Sequence, residues 1–153
     1  MFNQDVETLL KDGGVYIGPV VGNSMRPFLC PNRDHVDIRP ITGKIKTYEA
    51  VLYRRTNGQY VLHRIIGKNS DGYILRGDHQ YNKEKKIASS CIIGTLNGYW
   101  KNVGTKKETY VNCHSVSYRC LIILWQASFP IRRIFRYCVS VIKAVFKKFK
   151  EVK

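Results

Sequence analysis

From residue 15 to residue 103 the chain is a succession of short runs rich in Val, Ile and Tyr, each ended by a turn. The runs cover residues 15–21, 36–39, 50–55, 60–66, 73–76, 92–96 and 99–103. β-Branched and aromatic side chains fit a pleated, half-buried surface. Asn57-Gly58 and Asn97-Gly98 each separate two such runs, and Asp71-Gly72 closes a third pair. These dipeptides accept the positive φ that a tight hairpin needs. Strands at this spacing predict a small barrel or sandwich, so the expected fold class is mainly β.

Both ends read differently. Over residues 1–11, Val6, Leu9 and Leu10 share one face of a short predicted helix, which Gly13-Gly14 stops. At the other end Pro130 suits a first helical turn. Ile131, Phe135, Cys138, Ile142, Val145 and Phe149 then recur at gaps of three and four. Arg132, Arg133, Arg136, Lys143, Lys147 and Lys150 fall mainly on the opposite side. The pattern predicts a C-terminal amphipathic helix with a basic polar face. The expected organisation is a lead-in at 1–14, a β-domain at 15–118 and a helical segment at 119–153.

Charge supports that division. The chain carries +15, yet residues 119–153 hold 9 basic residues against 1 acidic, and residues 1–118 hold 17 against 10. Apolar residues make up 44%, enough for a packed core, which excludes a disordered basic tail protein. A basic amphipathic helix reads as a membrane-surface element attracted by anionic lipid. The competing reading is a helix packed on the β-domain. The uncharged run at 120–131 is too short to span a bilayer, which takes about 20 apolar residues. The acidic N-terminal segment does not resemble a secretory signal.

Five cysteines with no Cys-x-x-Cys spacing suggest neither a disulfide framework nor a zinc site. Cys30, near Ser24, reads as a packing residue. His35, His79 and His114 lack metal-ligand spacing. No cofactor and no metal are expected.

Four segments carry candidate chemistry. They are GNSMRPFL at 22–29, DHVDI at 34–38, VLHRIIG at 61–67 and RGDH at 76–79. Ser24 follows an apolar run and precedes a Met-x-Pro turn, a place where a hydroxyl can be exposed. His63 lies in a predicted strand whose alternation puts Val61, His63 and Ile65 on one face. Serine is a weak nucleophile without a base, and a histidine can take its proton near neutral pH. Asp78 or Glu84 could then fix the imidazole tautomer.

Taken in order, these segments resemble the signal peptidase I family and, more widely, the LexA-type self-cleaving repressors. GNSMRPFL matches the family's serine box, DHV its second box, VLHRII the histidine-base segment of the endoplasmic-reticulum and sporulation-type branch, and Gly77-Asp78-His79 its G-D-N box. The resemblance covers residues 20 to 96, about half of the chain. It implies a small β-barrel-type catalytic domain that cleaves peptide bonds, with Ser24 as nucleophile and His63 as general base. Asp78 matches the family aspartate, and Glu84 falls where the histidine branch has a second acid. Asp78 is slightly preferred as the residue that orients His63. The Ser24 N–H would donate to the oxyanion. Gly22 stands where many bacterial members have a hydroxyl donor, which leaves Asn23 or a backbone amide. Asn23 and Met25 are thus expected in the oxyanion and substrate-binding region.

The implied partner is an extended peptide or precursor protein bound by strand pairing. The family's N-terminal membrane anchor is not seen. The expectation is therefore a peripheral membrane protein, docked through residues 119–153 on the cytoplasmic face and acting on a precursor or leader peptide. Two other functions are carried forward. One is a LexA-like module that cleaves itself or a repressor; no helix-turn-helix, Ala-Gly cleavage dipeptide or lysine base supports it. The other is a basic nucleic-acid-binding protein, for which no reading motif is present.

Overall fold

The computed structural model describes the backbone of residues 4–151 and the side chains of residues 5–142. The chain divides into two compact units, Met1–Arg119 and Cys120–Lys153.

The first unit opens with α1 (Gln4–Lys11), which buries Val6 and Leu10 while Leu9 stays exposed. Gly13, at φ +83°, ends the helix, and the Gly14 N–H caps the Leu9 carbonyl at 2.8 Å. Only a residue that tolerates positive φ can make this reversal cheaply. Eight strands follow: β1 (Tyr16–Pro19), β2 (His35–Arg39), β3 (Ala50–Arg54), β4 (Tyr60–Asn69), β5 (Gly72–Arg76), β6 (Glu84–Ile87), β7 (Ile92–Lys101) and β8 (Thr109–Asn112). They form one antiparallel sheet in the order β1-β2-β7-β3-β4-β5-β6, with β8 also paired to β7.

The fold is mainly β, as the strand pattern predicts, but the expected barrel is not closed. The hydrogen-bonded path starts at β1 and ends at β6 without returning. Both end strands have four residues, and Pro19 has no N–H to offer. Val51, Tyr53, Ile65, Tyr73, Leu75 and Ile92 form a buried cluster on one face of the sheet. This is the period-2 alternation of β3, β4 and β5 expressed as packing.

Three expectations need correction. Asn97-Gly98 is not a hairpin: β7 runs straight through it. Ile38 pairs with Leu96 and Asp37 with Gly98, so Asn97 is the extra residue of a β-bulge. Its amide donates to Asp37 Oδ2 and to the Tyr110 hydroxyl, both at 2.9 Å, and that tertiary bonding holds the bulge. Second, β6 and β8 were not anticipated. Their sequences, EKKI and TYVN, are polar or short and gain strand form from pairing with β5 and β7.

Third, the C-terminal segment holds two helices, α2 (Val116–Ala127) and α3 (Phe129–Glu151). Pro130 does lie in the first turn of α3, and its missing N–H explains the break after Ala127. Ser128 bridges the junction, donating from Oγ to the Trp125 carbonyl at 2.9 Å. The candidate side chains Lys143, Val145, Lys147, Phe149 and Lys150 lie outside the described residues. Among the described residues no helix is long and apolar enough to cross a membrane.

Candidate active site

β4 is the spine of the site. The Ile65 N–H donates to the Glu49 carbonyl and the Ile65 carbonyl accepts from the Tyr48 N–H, at 2.9 and 2.8 Å. Backbone polar groups alternate along a strand. His63 and Val61 therefore direct theirs toward β3, and Leu62 directs its own to the opposite edge. β5 pairs with β4 only from Arg64 onward. The Leu62 N–H and C=O thus lie on a strand edge that β5 does not reach.

A cleft of about 480 Å³ runs along this part of β4. Gln59 to His63 and residues 20 to 25 line it, and Leu29, Val36, Arg55, His79 and Gln80 complete it. Ser24, Asn23, Met25 and His63, all singled out from the sequence, are brought together here. Ser24 is half-buried, Asn23 is exposed and Met25 is buried beneath the loop. No hydrogen bond joins Ser24 Oγ to His63, whose Nδ1 faces Glu84 and Tyr53.

The loop bearing Ser24 is held by its backbone. The His79 N–H donates to the Ser24 carbonyl at 2.8 Å. A Cβ on Gly77 would stand 2.6 Å from that same carbonyl oxygen, so only glycine lets the two segments approach. Further along, Asp34 accepts from the Cys30 N–H at 2.8 Å and from Arg33, which closes the end of the loop.

Asp78 and Glu84 have different partners. Asp78 accepts two bonds from the Arg64 guanidinium, at 2.8 and 2.7 Å, in full burial. Arg64 also donates to the Tyr48 carbonyl at 2.7 Å and to the Tyr118 hydroxyl at 3.3 Å. Strand alternation explains this, because Arg64 lies on the face of β4 opposite His63. Asp78 therefore meets Arg64 and not His63, whereas the sequence reading slightly preferred it beside the histidine.

Glu84 meets His63. Pairing of β6 with β5 sets Leu75 opposite Glu84, and Glu84 Oε1 lies 3.2 Å from His63 Nδ1. The Tyr53 hydroxyl is also 3.2 Å from Nδ1. Arg55 grips Glu84 through Nε at 2.9 Å and Nη2 at 2.5 Å. An ionised carboxylate can only accept, so Glu84 takes the hydrogen bond from the Nδ1 proton. With a carboxylate and a phenol oxygen before it, Nδ1 carries the proton and Nε2 keeps its lone pair.

His63 is 1% exposed. Burial lowers its pKa to about 4, against the opposing pull of Glu84. It is neutral, hence basic in form, at physiological pH. Burial alone would raise the Glu84 pKa, but bonds from Arg55 and Tyr53 and the Arg55 charge hold it below the usual carboxylate value. Among the described residues no group of three His, Cys, Asp or Glu side chains is placed to hold a metal ion.

Comparison with protein families, curated proteins and solved structures yields no match to this chain.

Tyr53 and Arg55 were not singled out from the sequence. They sit within a plain strand run, and only the pairing of Val51 with His63 and Tyr53 with Val61 brings them beside the histidine. His79 closes the Gly77-Asp78-His79 box and Gln80 follows it directly, so a reading of the box extended by one residue would have included Gln80.

Proposed function

We propose that this chain is a serine endopeptidase of the signal peptidase I type, acting on an extended segment of a precursor or leader peptide. The observation that carries this reading is the His63 environment. Glu84 and Tyr53 face Nδ1, which leaves Nε2 as a proton acceptor in the cleft that also holds Ser24.

In this mechanism Ser24 Oγ attacks the scissile carbonyl as His63 Nε2 takes its proton. Glu84 stabilises the imidazolium that forms. The Ser24 N–H, with the Asn23 side chain as the second candidate donor, bonds the oxyanion; one such donor is worth about 10²- to 10³-fold in rate. His63 then protonates the leaving amine, an acyl-enzyme remains, and water releases it by the reverse proton route. The peptide pairs with the free edge of β4 at Leu62. Main-chain bonds supply affinity, and the cleft supplies selectivity.

The test is a peptide-library cleavage screen with the wild type, Ser24→Ala and His63→Ala. Both variants should keep the wild-type circular dichroism spectrum and lose at least about 10³-fold in kcat/KM. Cleavage that persists unchanged in Ser24→Ala overturns the mechanism.

A further inference from the structure

The second unit presents a surface that the proposed chemistry does not use. On α3, Ile131, Ile134, Phe135 and Ile142 are 71%, 65%, 68% and 53% exposed. They recur at helical spacing and form one stripe. On α2, Leu121 and Leu124, three residues apart, are also exposed. Arg133 and Arg136 occupy the opposite side of α3, one turn apart and exposed. Arg132 stacks on Trp125 at 3.7 Å and donates to Ser128 Oγ at 3.0 Å, which fixes the α2–α3 junction. Residues 120–142 contain three arginines and no acid.

We propose that this surface docks on an anionic lipid bilayer, with the helices lying in the plane of the interface. The apolar stripe enters the acyl boundary and the arginines meet the headgroups. Contiguous exposed apolar side chains of this number mark an interaction surface. Charge selects the occupant. A second copy would bring the same cations and no carboxylate from these residues. A nucleic acid would pair with the arginines but leave the apolar stripe in water. An anionic bilayer satisfies both at once. The inference stands independently of the peptidase reading.

The test is flotation of the full chain with vesicles of phosphatidylcholine alone or with about 30% phosphatidylserine. Binding is expected to the phosphatidylserine vesicles, to weaken in high salt, and to be slight on phosphatidylcholine. Arg133→Gln with Arg136→Gln should weaken it about 25-fold, some five-fold per cation. Ile134→Ser with Phe135→Ser should weaken it at unchanged charge. All four residues are exposed, so circular dichroism and cleavage of a soluble peptide should stay at the wild-type level. Equal binding to both vesicle types, or binding untouched by either double variant, overturns the proposal. So does a dimer broken by Phe135→Ser, or tight binding of a DNA or RNA duplex, without vesicle binding.

Discussion

Glu84 Oε1 lies 3.2 Å from His63 Nδ1, whereas Asp78, nearer to His63 in sequence, gives both carboxylate oxygens to Arg64. The two acids therefore fail differently when altered. Glu84→Gln keeps the shape but removes the charge that stabilises the imidazolium and fixes its tautomer. It should lower kcat by about 10³-fold with little change in KM, read by steady-state cleavage. A kcat within threefold of wild type would reject Glu84 as the orienting residue.

Asp78→Asn should act on stability first. It leaves the Arg64 charge buried without its partner, which costs about 3–5 kcal/mol. Urea unfolding should show the loss as a lower midpoint at unchanged slope. The effect on cleavage at low temperature, where the variant is still folded, should be much smaller than that of Glu84→Gln.

The pH profile follows from His63. As base it works unprotonated, and burial lowers its pKa to about 4. The kcat/KM of the free enzyme should be flat from pH 7 to about 5 and fall through about pH 4. An acid limb near pH 6.5, the usual histidine value, would contradict the buried setting. Stability shifts in a related window. The unfolded chain binds the His63 proton below pH 6.5 and the folded chain resists it down to about 4. Stability from this group is complete above pH 6.5 and is lost as pH falls toward 4, by up to about 3 kcal/mol. Glu84, with its folded pKa lowered, adds a further loss at more acid pH.

Gly77→Ala tests the seat of the nucleophile. The new methyl group meets the Ser24 carbonyl at 2.6 Å and its Cβ at 3.0 Å. The loop must move, which should cost about 1–3 kcal/mol. It should also lower kcat at least tenfold, because a small displacement of a nucleophile weakens its alignment. Thermal unfolding and single-turnover cleavage separate the two effects.

Much of the fold was legible because the signals are local. The Asn57-Gly58 turn, the β-rich runs at 50–55 and 60–66 and the stop at Gly13 each depend on a few neighbouring residues. Asn97-Gly98 shows the limit of such reading. The dipeptide permits a hairpin, but Asp37 and Tyr110, far away in sequence, bond Asn97 and turn it into a bulge. β6 carries three charged residues in four, and no propensity marks it as a strand. Pairing with β5 makes it one.

The sequence by itself determined the mainly β class, the exposed turn that carries Ser24, the strand that carries His63 and the stripe on α3. Each follows from backbone preference and side-chain periodicity over a short stretch. Tertiary structure alone decided which acid faces the histidine. His63 and Arg64 are adjacent, so alternation sends them to opposite faces of the sheet. Each face then takes the carboxylate that the strand pairing delivers to it: Glu84 from β6 for His63, and Asp78 from the loop after β5 for Arg64.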